Sequence, residues 1–342
     1  MKEYISFPGL GIEPFHIDRV AFTLFGRPVA WYGIIICIGI ILAVTYAILR
    51  AKTEKIKSDD MIDLAFFLVI FGVIGARIYY VLFSLEDYIV TGHGFFGNLA
   101  ATLKNIVSVW KGGIAIYGAL IAGFITIVLF CRRKKISLLK MVDVVSPAVM
   151  IGQLIGRWGN FVNIEAFGSE TSLPWRMGIL RSNFDNAAEL GAWTSETYVH
   201  PTFLYESLWN LLGFIIANII YKRKKYDGQI FFFYIGWYGF GRMIIEGFRT
   251  DSLMLGPVRI SQLVGFVTFA LGVALSILMR RLARQAAAEA QDERLSLVEG
   301  EISISSSESS DTETTDDNSA SENEISKETN IEGEEDNHGE NN

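Results

Sequence analysis

Residues 141–168 read MVDVVSPAVMIGQLIGRWGNFVNIEAFG. Met141 to Ile155 is an apolar run that continues to about Phe161, long enough to make a membrane-spanning helix. At its end Arg157, Asn160, Asn163 and Glu165 fall within nine residues, punctuated by Gly156, Gly159 and Gly168. Ionisable groups at the rim of a span are costly and point to function by default.

Outward from this stretch, a window of about 19 residues marks seven apolar runs. They are Val29–Leu49, Ile62–Phe83, Ile114–Phe130, Met141–Phe161, Phe203–Tyr221, Ile230–Glu246 and Ile260–Met279. The pattern predicts an all-α polytopic membrane protein of about seven transmembrane helices. A chain that is 51% hydrophobic with a mean hydropathy of +0.32 fits that class better than a pair of soluble domains. The net charge of −7 averages two unlike parts. Residues 286–342 carry 18 acidic and 2 basic side chains, whereas residues 1–285 carry 28 basic and 19 acidic ones. A basic membrane body over 1–285, matched to anionic lipids, is therefore expected to precede an acidic tail over 286–342. That tail has too little apolar surface to fold alone.

Lys and Arg alternate between connections. Arg50, Lys52, Lys55 and Lys57 follow the first run; Arg132 to Lys135 follow the third. Lys222 to Lys225 follow the fifth, and Arg280, Arg281 and Arg284 the seventh. The intervening connections are poorer in basic residues, so the N-terminus is expected outside, and the C-terminus and tail in the cytoplasm. The connection 162–202, with its Pro174-Trp175-Arg176 turn, reads as a small external cap. No secretory leader is expected, because residues 1–28 lack a basic segment followed by an apolar core. Cys37 and Cys131 suit neither a disulfide nor a metal site; no metal, cofactor or nucleic-acid partner is expected.

A rise of about 1.5 Å per residue converts position to depth. Counting from the cytoplasmic ends, Arg157 lies roughly 24 Å along its run, Arg77 roughly 22 Å and Arg242 about 18 Å. Glu246 lies one turn further out than Arg242, and Tyr32, Tyr117 and Glu206 sit just inside the outer ends of the descending runs. Polar groups from separate helices thus share one level, in the outer leaflet. Tyr238, Arg242, Glu246 and Arg249 are spaced to share one helical face. Arg77, Arg157, Arg242 and Arg249 supply guanidinium forks, which match phosphate oxygens and stay charged when desolvated. Glu165, Glu206 and Glu246 orient them or act as a base. The pattern points to a site for phospholipid headgroups. No nucleophile motif is present, so the attacking group is expected to come from the substrate. An anion transporter would call for midplane sites and inverted repeats, which the sequence lacks; a structural scaffold would not need so many arginines at one depth.

The stretch from Gly156 to Glu165, closed by Gly168, resembles the signature of the bacterial prolipoprotein diacylglyceryl transferases. Trp31-Tyr32-Gly33, Gly75-Ala76-Arg77, Trp110-Lys111-Gly112-Gly113, the segment His200 to Glu206, and Arg242, Glu246 and Arg249 resemble further motifs of that family in the same order. The resemblance covers about residues 1 to 280. It implies transfer of a diacylglyceryl group from phosphatidylglycerol to the lipobox cysteine at the signal peptide of a prolipoprotein, at the outer face of the bacterial cytoplasmic membrane. The products are a thioether and glycerol phosphate. It implies catalytic roles for Arg157, Glu165, Arg242, Glu246 and Tyr117, with Arg157 and Arg242 on the leaving phosphate. Tyr32, Arg77, Asn160, Asn163, Gly168, His200, Glu206 and Arg249 are implied in substrate binding. One position departs from the family: many members carry histidine where this chain has Tyr117. A tyrosine, with an ordinary pKa near 10, is a poor base at neutral pH: either the proton leaves by another route, with Glu165, Glu246 and His200 as candidates, or no dedicated base is required.

Overall fold

Within Lys2 to Phe7 the central residues Tyr4 and Ile5 point to opposite faces, as side chains in a strand must, and both are buried. Ile5 is fully buried among Ile164, Met177, Ile179, Val199 and Phe203; Tyr4 turns the other way, onto Leu180 and Trp193. This is β1 (Lys2–Phe7) of a four-stranded antiparallel sheet with β2 (Ile12–His16), β5 (Met177–Ser182) and β6 (Ser195–Val199). The order is β2-β1-β5-β6, with Ile5 opposite Ile179 and Met177 opposite Val199. A β3–β4 ribbon (Val20–Leu24 and Arg27–Ala30) leads into the first helix. The computed structural model describes residues 2–92, 94–109, 112–183, 191, 193–250 and 254–310.

The helices are α1 (Trp31–Ala51), α2 (Ser58–Phe83), α3 (Phe95–Val107), α4 (Ile116–Lys134), α5 (Leu138–Asn163), α6 (Thr202–Tyr221), α7 (Gln229–Ile245) and α8 (Ile260–Ser310). α1, α2, α4, α5, α6 and α8 are long and apolar enough to cross a membrane. The run read over 230–246 is the 17-residue α7, about 25 Å long, somewhat short of an average hydrocarbon core of about 30 Å. A short ribbon, β7 (Met254–Leu255) with β8 (Val258–Arg259), joins α7 to α8.

The bundle is held by close backbone approaches. Gly75 and Gly118 let α2 and α4 meet, since a Cβ on Gly118 would lie 2.2 Å from the Gly75 carbonyl oxygen. Trp209 on α6 and Trp237 on α7 stack at 4.2 Å. Each indole N–H donates to the other's backbone carbonyl, at 3.1 and 3.0 Å. Their rings fill the space above Gly213 and Gly241, four residues further along each helix. Such packing replaces the hydrophobic drive that is absent between helices in lipid.

The sheet joins the bundle at the end where α1 and α6 begin and α5 stops. The cap expected from residues 162–202 is thus built jointly with the N-terminal strands, in which only a missing leader was read. Contacts group the chain into units Met1–Arg284 and Gln285–Asn342. Where an unfolded tail was expected from residue 286, α8 runs on to Ser310; residues 311–342 lie outside the described residues.

Candidate active site

The helix that carries the signature stretch ends in a Schellman turn. The Glu165 amide donates to the Asn160 carbonyl and the Ile164 amide to that of Phe161, both at 3.0 Å. Ile164 adopts the left-handed conformation, with φ 53°, which is uncommon for a β-branched residue and costs roughly 1–2 kcal/mol. Its side chain is buried in the core beneath the sheet, and burial of that size contributes about 1.5–3 kcal/mol. The strain is therefore offset locally, and the turn returns Glu165 over the helix end. Glu165 Oε1 accepts from Asn160 Nδ2 at 2.8 Å and from Asn163 Nδ2 at 3.5 Å, while Asn160 Oδ1 lies 3.4 Å from Arg157 Nη1.

Arg157 reaches across to α6, where its Nη2 is 2.5 Å from Glu206 Oε2. The same carboxylate meets Arg249 Nη1 at 3.2 Å and Arg242 Nη1 at 3.6 Å. Arg242 Nη2 also lies 2.7 Å from Glu246 Oε2, one turn along, and Arg249 Nε lies 3.9 Å from it. That Glu246 oxygen is buried and lacks a hydrogen bond of good direction, so its pairing is Coulombic. Among the described residues, three guanidinium groups therefore surround two buried carboxylates, Glu206 and Glu246. Arg259 donates to the Glu246 backbone carbonyl; in the sequence it stood out only as a loop cation.

The packing is tight. The cavity beside Glu206, Tyr238 and Arg242 measures about 10 Å³, space for about one water. The Arg157 and Arg242 side chains keep 22% and 19% of their surface open, so both can be reached from outside the cluster. Tyr32 lies against Gly159, where a Cβ would come within 2.8 Å of its ring, and is about one-third exposed. Gly168 fills a seam in which a Cβ would lie 2.6 Å from that of His200 and 2.9 Å from the Phe248 carbonyl oxygen. Its amide donates to the His200 carbonyl, and it bridges to Arg249, so Gly168 ties the signature loop to the arginine strand. His200 Nδ1 is 3.1 Å from the Tyr205 hydroxyl, which accepts from Trp175 Nε1 at 2.8 Å. Burial lowers the His200 pKa from its ordinary value, which keeps the ring neutral at pH 7.

Two candidates stand apart from the cluster. Buried Arg77 donates to the carbonyls of Asn105, Ile106, Gly112 and Gly113 at 2.7–2.8 Å and stacks over Tyr88 at 4.8 Å. Its guanidinium clamps the segment that follows α3, and the left-handed Gly113 leaves room for it. Tyr117 packs against Tyr79 of α2, 6.3 Å between centroids, and is exposed. Trp110 and Lys111 of the remaining motif lie outside the described residues.

At the opposite end of the bundle a second charged cluster reaches into the spans. There, fully buried Asp143 accepts from the amides of Gly228, Ile230 and Phe231 at 2.8–2.9 Å, capping α7 from a neighbouring helix. Lys224 bridges it to Glu54, at 3.1 and 2.6 Å. A lone acid inside an apolar run was the available signal.

A family model described as prolipoprotein diacylglyceryl transferase matches residues 19–278. Similar proteins named phosphatidylglycerol–prolipoprotein diacylglyceryl transferase include one from Listeria innocua, 42% identical over 272 residues, which are 80% of this chain and 92% of that protein. One from Finegoldia magna is 41% identical, covering 76% of this chain and 95% of the relative. One from Clostridioides difficile is 42% identical over 73% and 91%.

Proposed function

The chain belongs to the prolipoprotein diacylglyceryl transferase family, and from that premise we propose that it transfers the diacylglyceryl group of phosphatidylglycerol to the lipobox cysteine of a prolipoprotein, the first step of lipoprotein maturation. The thiol sulfur attacks the glyceryl carbon that carries the phosphate ester. A carbon–sulfur bond forms, the carbon–oxygen bond breaks, and glycerol phosphate leaves with the electron pair.

The observation that carries this reading is Glu206 meeting Arg157, Arg242 and Arg249 at once. The carboxylate fixes three guanidinium groups before substrate arrives, so no reorganisation is needed as charge develops on the leaving phosphate. Arg157 and Arg242 present their open edges to that phosphate. Glu206, Glu246 and Arg249 hold those two in place. A thiol is only a few per cent ionised at neutral pH. Glu165, exposed and bonded to two amides rather than to an arginine, accepts the thiol proton. His200 shapes the signature seam, and the Tyr32 hydroxyl positions the lipid headgroup.

The cluster lies in the outer leaflet of the bacterial cytoplasmic membrane, with the acidic tail inside. Support comes from the basic segments after α1, α4 and α6 and within α8, at the far end from the cluster. The test incubates the purified protein with phosphatidylglycerol vesicles and a lipobox peptide, and reads the diacylglyceryl adduct by mass spectrometry. A Cys→Ser peptide gives none, and Arg157→Ala and Arg242→Ala each slow adduct formation by about 100-fold or more. Unchanged rates in both variants would refute the assignment.

A further inference from the structure

Away from the cluster, α6, α7 and α8 enclose a groove of about 700 Å³ that no step above uses. α7 and α8 run antiparallel and touch at Gly236 and Gly272, where a Cβ on Gly272 would lie 2.5 Å from the Gly236 nitrogen. The groove follows α7 from Gln229 to Phe240 and α8 from Arg280 back to Phe269, about 16 Å along each helix. That is close to half of a hydrocarbon core of about 30 Å, one leaflet deep. Phe240 and Phe269 close the end nearer the cluster, 5.3 Å apart. Beyond them stand Arg242 and the carboxylates, so this groove and the cluster are separate places.

The walls are aromatic and aliphatic, while the end away from the cluster carries Lys225 and Arg280. Neither is paired with a carboxylate among the described residues, since the neighbouring acids Glu54, Asp143 and Asp227 are engaged by Lys224. Tyr226 at the same end donates to the Ser276 carbonyl at 3.1 Å, tying the loop to α8. An apolar slot one leaflet deep, with two uncompensated cations at its mouth, has the shape and charge of a single anionic phospholipid.

We propose that this groove holds one anionic phospholipid of the leaflet opposite the carboxylate–guanidinium cluster. Its acyl chains lie along the groove, over the seam where α7 meets α8, and its phosphate sits between Lys225 and Arg280. The lipid fills the space left by the glycine contact of α7 with α8 and holds α7, which carries Arg242, against the bundle.

The experiment is native mass spectrometry of the delipidated full chain, titrated with dioleoyl phosphatidylserine or dioleoyl phosphatidylcholine. Lipid bound at the cluster is common to all variants and drops out of the difference. Lys225→Gln/Arg280→Gln is expected to bind one phosphatidylserine about 30-fold more weakly, roughly fivefold per basic side chain. Phosphatidylcholine binding stays unchanged. Val273→Trp, which fills the groove and keeps both charges, loses the same lipid while the thermal midpoint of the lipid-free protein holds. Phosphatidylserine affinity preserved in either variant would overturn the proposal. So would phosphatidylcholine binding as tightly as phosphatidylserine to the native groove.

Discussion

Replacing Glu206 by glutamine tests whether the arginines are held by one shared carboxylate. The side chain keeps its shape and one acceptor oxygen, but loses the charge that faces guanidinium nitrogens at 2.5, 3.2 and 3.6 Å. At an effective dielectric of about 20, a pair about 3 Å apart has roughly 5 kcal/mol of gross attraction, most of it offset by desolvation. What remains on breaking a buried pair is a cost of about 3–5 kcal/mol, because Arg157 loses its carboxylate while Arg242 and Arg249 are left to share Glu246. For a body of this size, about 2 °C per kcal/mol turns that cost into a fall of about 6–10 °C in the thermal midpoint. The arginines then spread, and a displacement of about 1 Å at the leaving phosphate costs on the order of 100-fold in rate. Both readouts come from one purified variant, by thermal denaturation in detergent and by the adduct assay. Glu165→Gln is the companion: exposed and without an arginine partner, it shifts stability by less than about 0.5 kcal/mol while adduct formation slows. Glu206→Gln with a midpoint within about 1 °C of native and an unchanged rate would refute the idea of a preset cluster.

Ile164→Gly relieves roughly 1–2 kcal/mol of left-handed strain but removes a buried side chain worth about 2–5 kcal/mol. Net destabilisation is expected, read as a lower thermal midpoint, and a gain would show that burial does not hold the turn. Gly213→Ala brings a Cβ to 2.3 Å from the Trp237 indole nitrogen, costing about 1–3 kcal/mol; its readout is a shift in tryptophan fluorescence together with the midpoint. His200 has its pKa lowered by burial from 6.5, so the unfolded chain binds more protons than the folded one below neutrality. Stability is complete above about 6.5 and declines as pH falls through the lowered folded value. The midpoint of native protein therefore drops, as pH falls below about 6.5, more than that of His200→Asn, and parallel curves would count against it.

Much of the candidate site was legible in the chain, because helical rise turns residue number into depth. Arg157, Glu206, Arg242, Glu246 and Arg249 were read at one level, and the structure brings them within ion-pair distance of one another. Depth alone does not fix azimuth. Arg77 shares the level but faces the carbonyls around Gly112, and Tyr117 faces Tyr79. The cap was half legible: Pro174-Trp175-Arg176 marked a folded loop, while Lys2 to Phe7 was read only for the absence of a leader. Tyr4, Ile5 and Ser6 are buried in succession, so the strand shows no one-sided alternation and its partner had to be seen.

The amino-acid sequence by itself determined the apolar runs, the basic connections and the polar residues at their ends, because these depend on local composition and on the fixed geometry of a helix. Tertiary structure decided which charges pair, that Ile164 can occupy a left-handed turn, and that Asp143 caps α7 from across the bundle. Each of these depends on atoms brought together from distant positions, whose burial and distance have no counterpart along the chain.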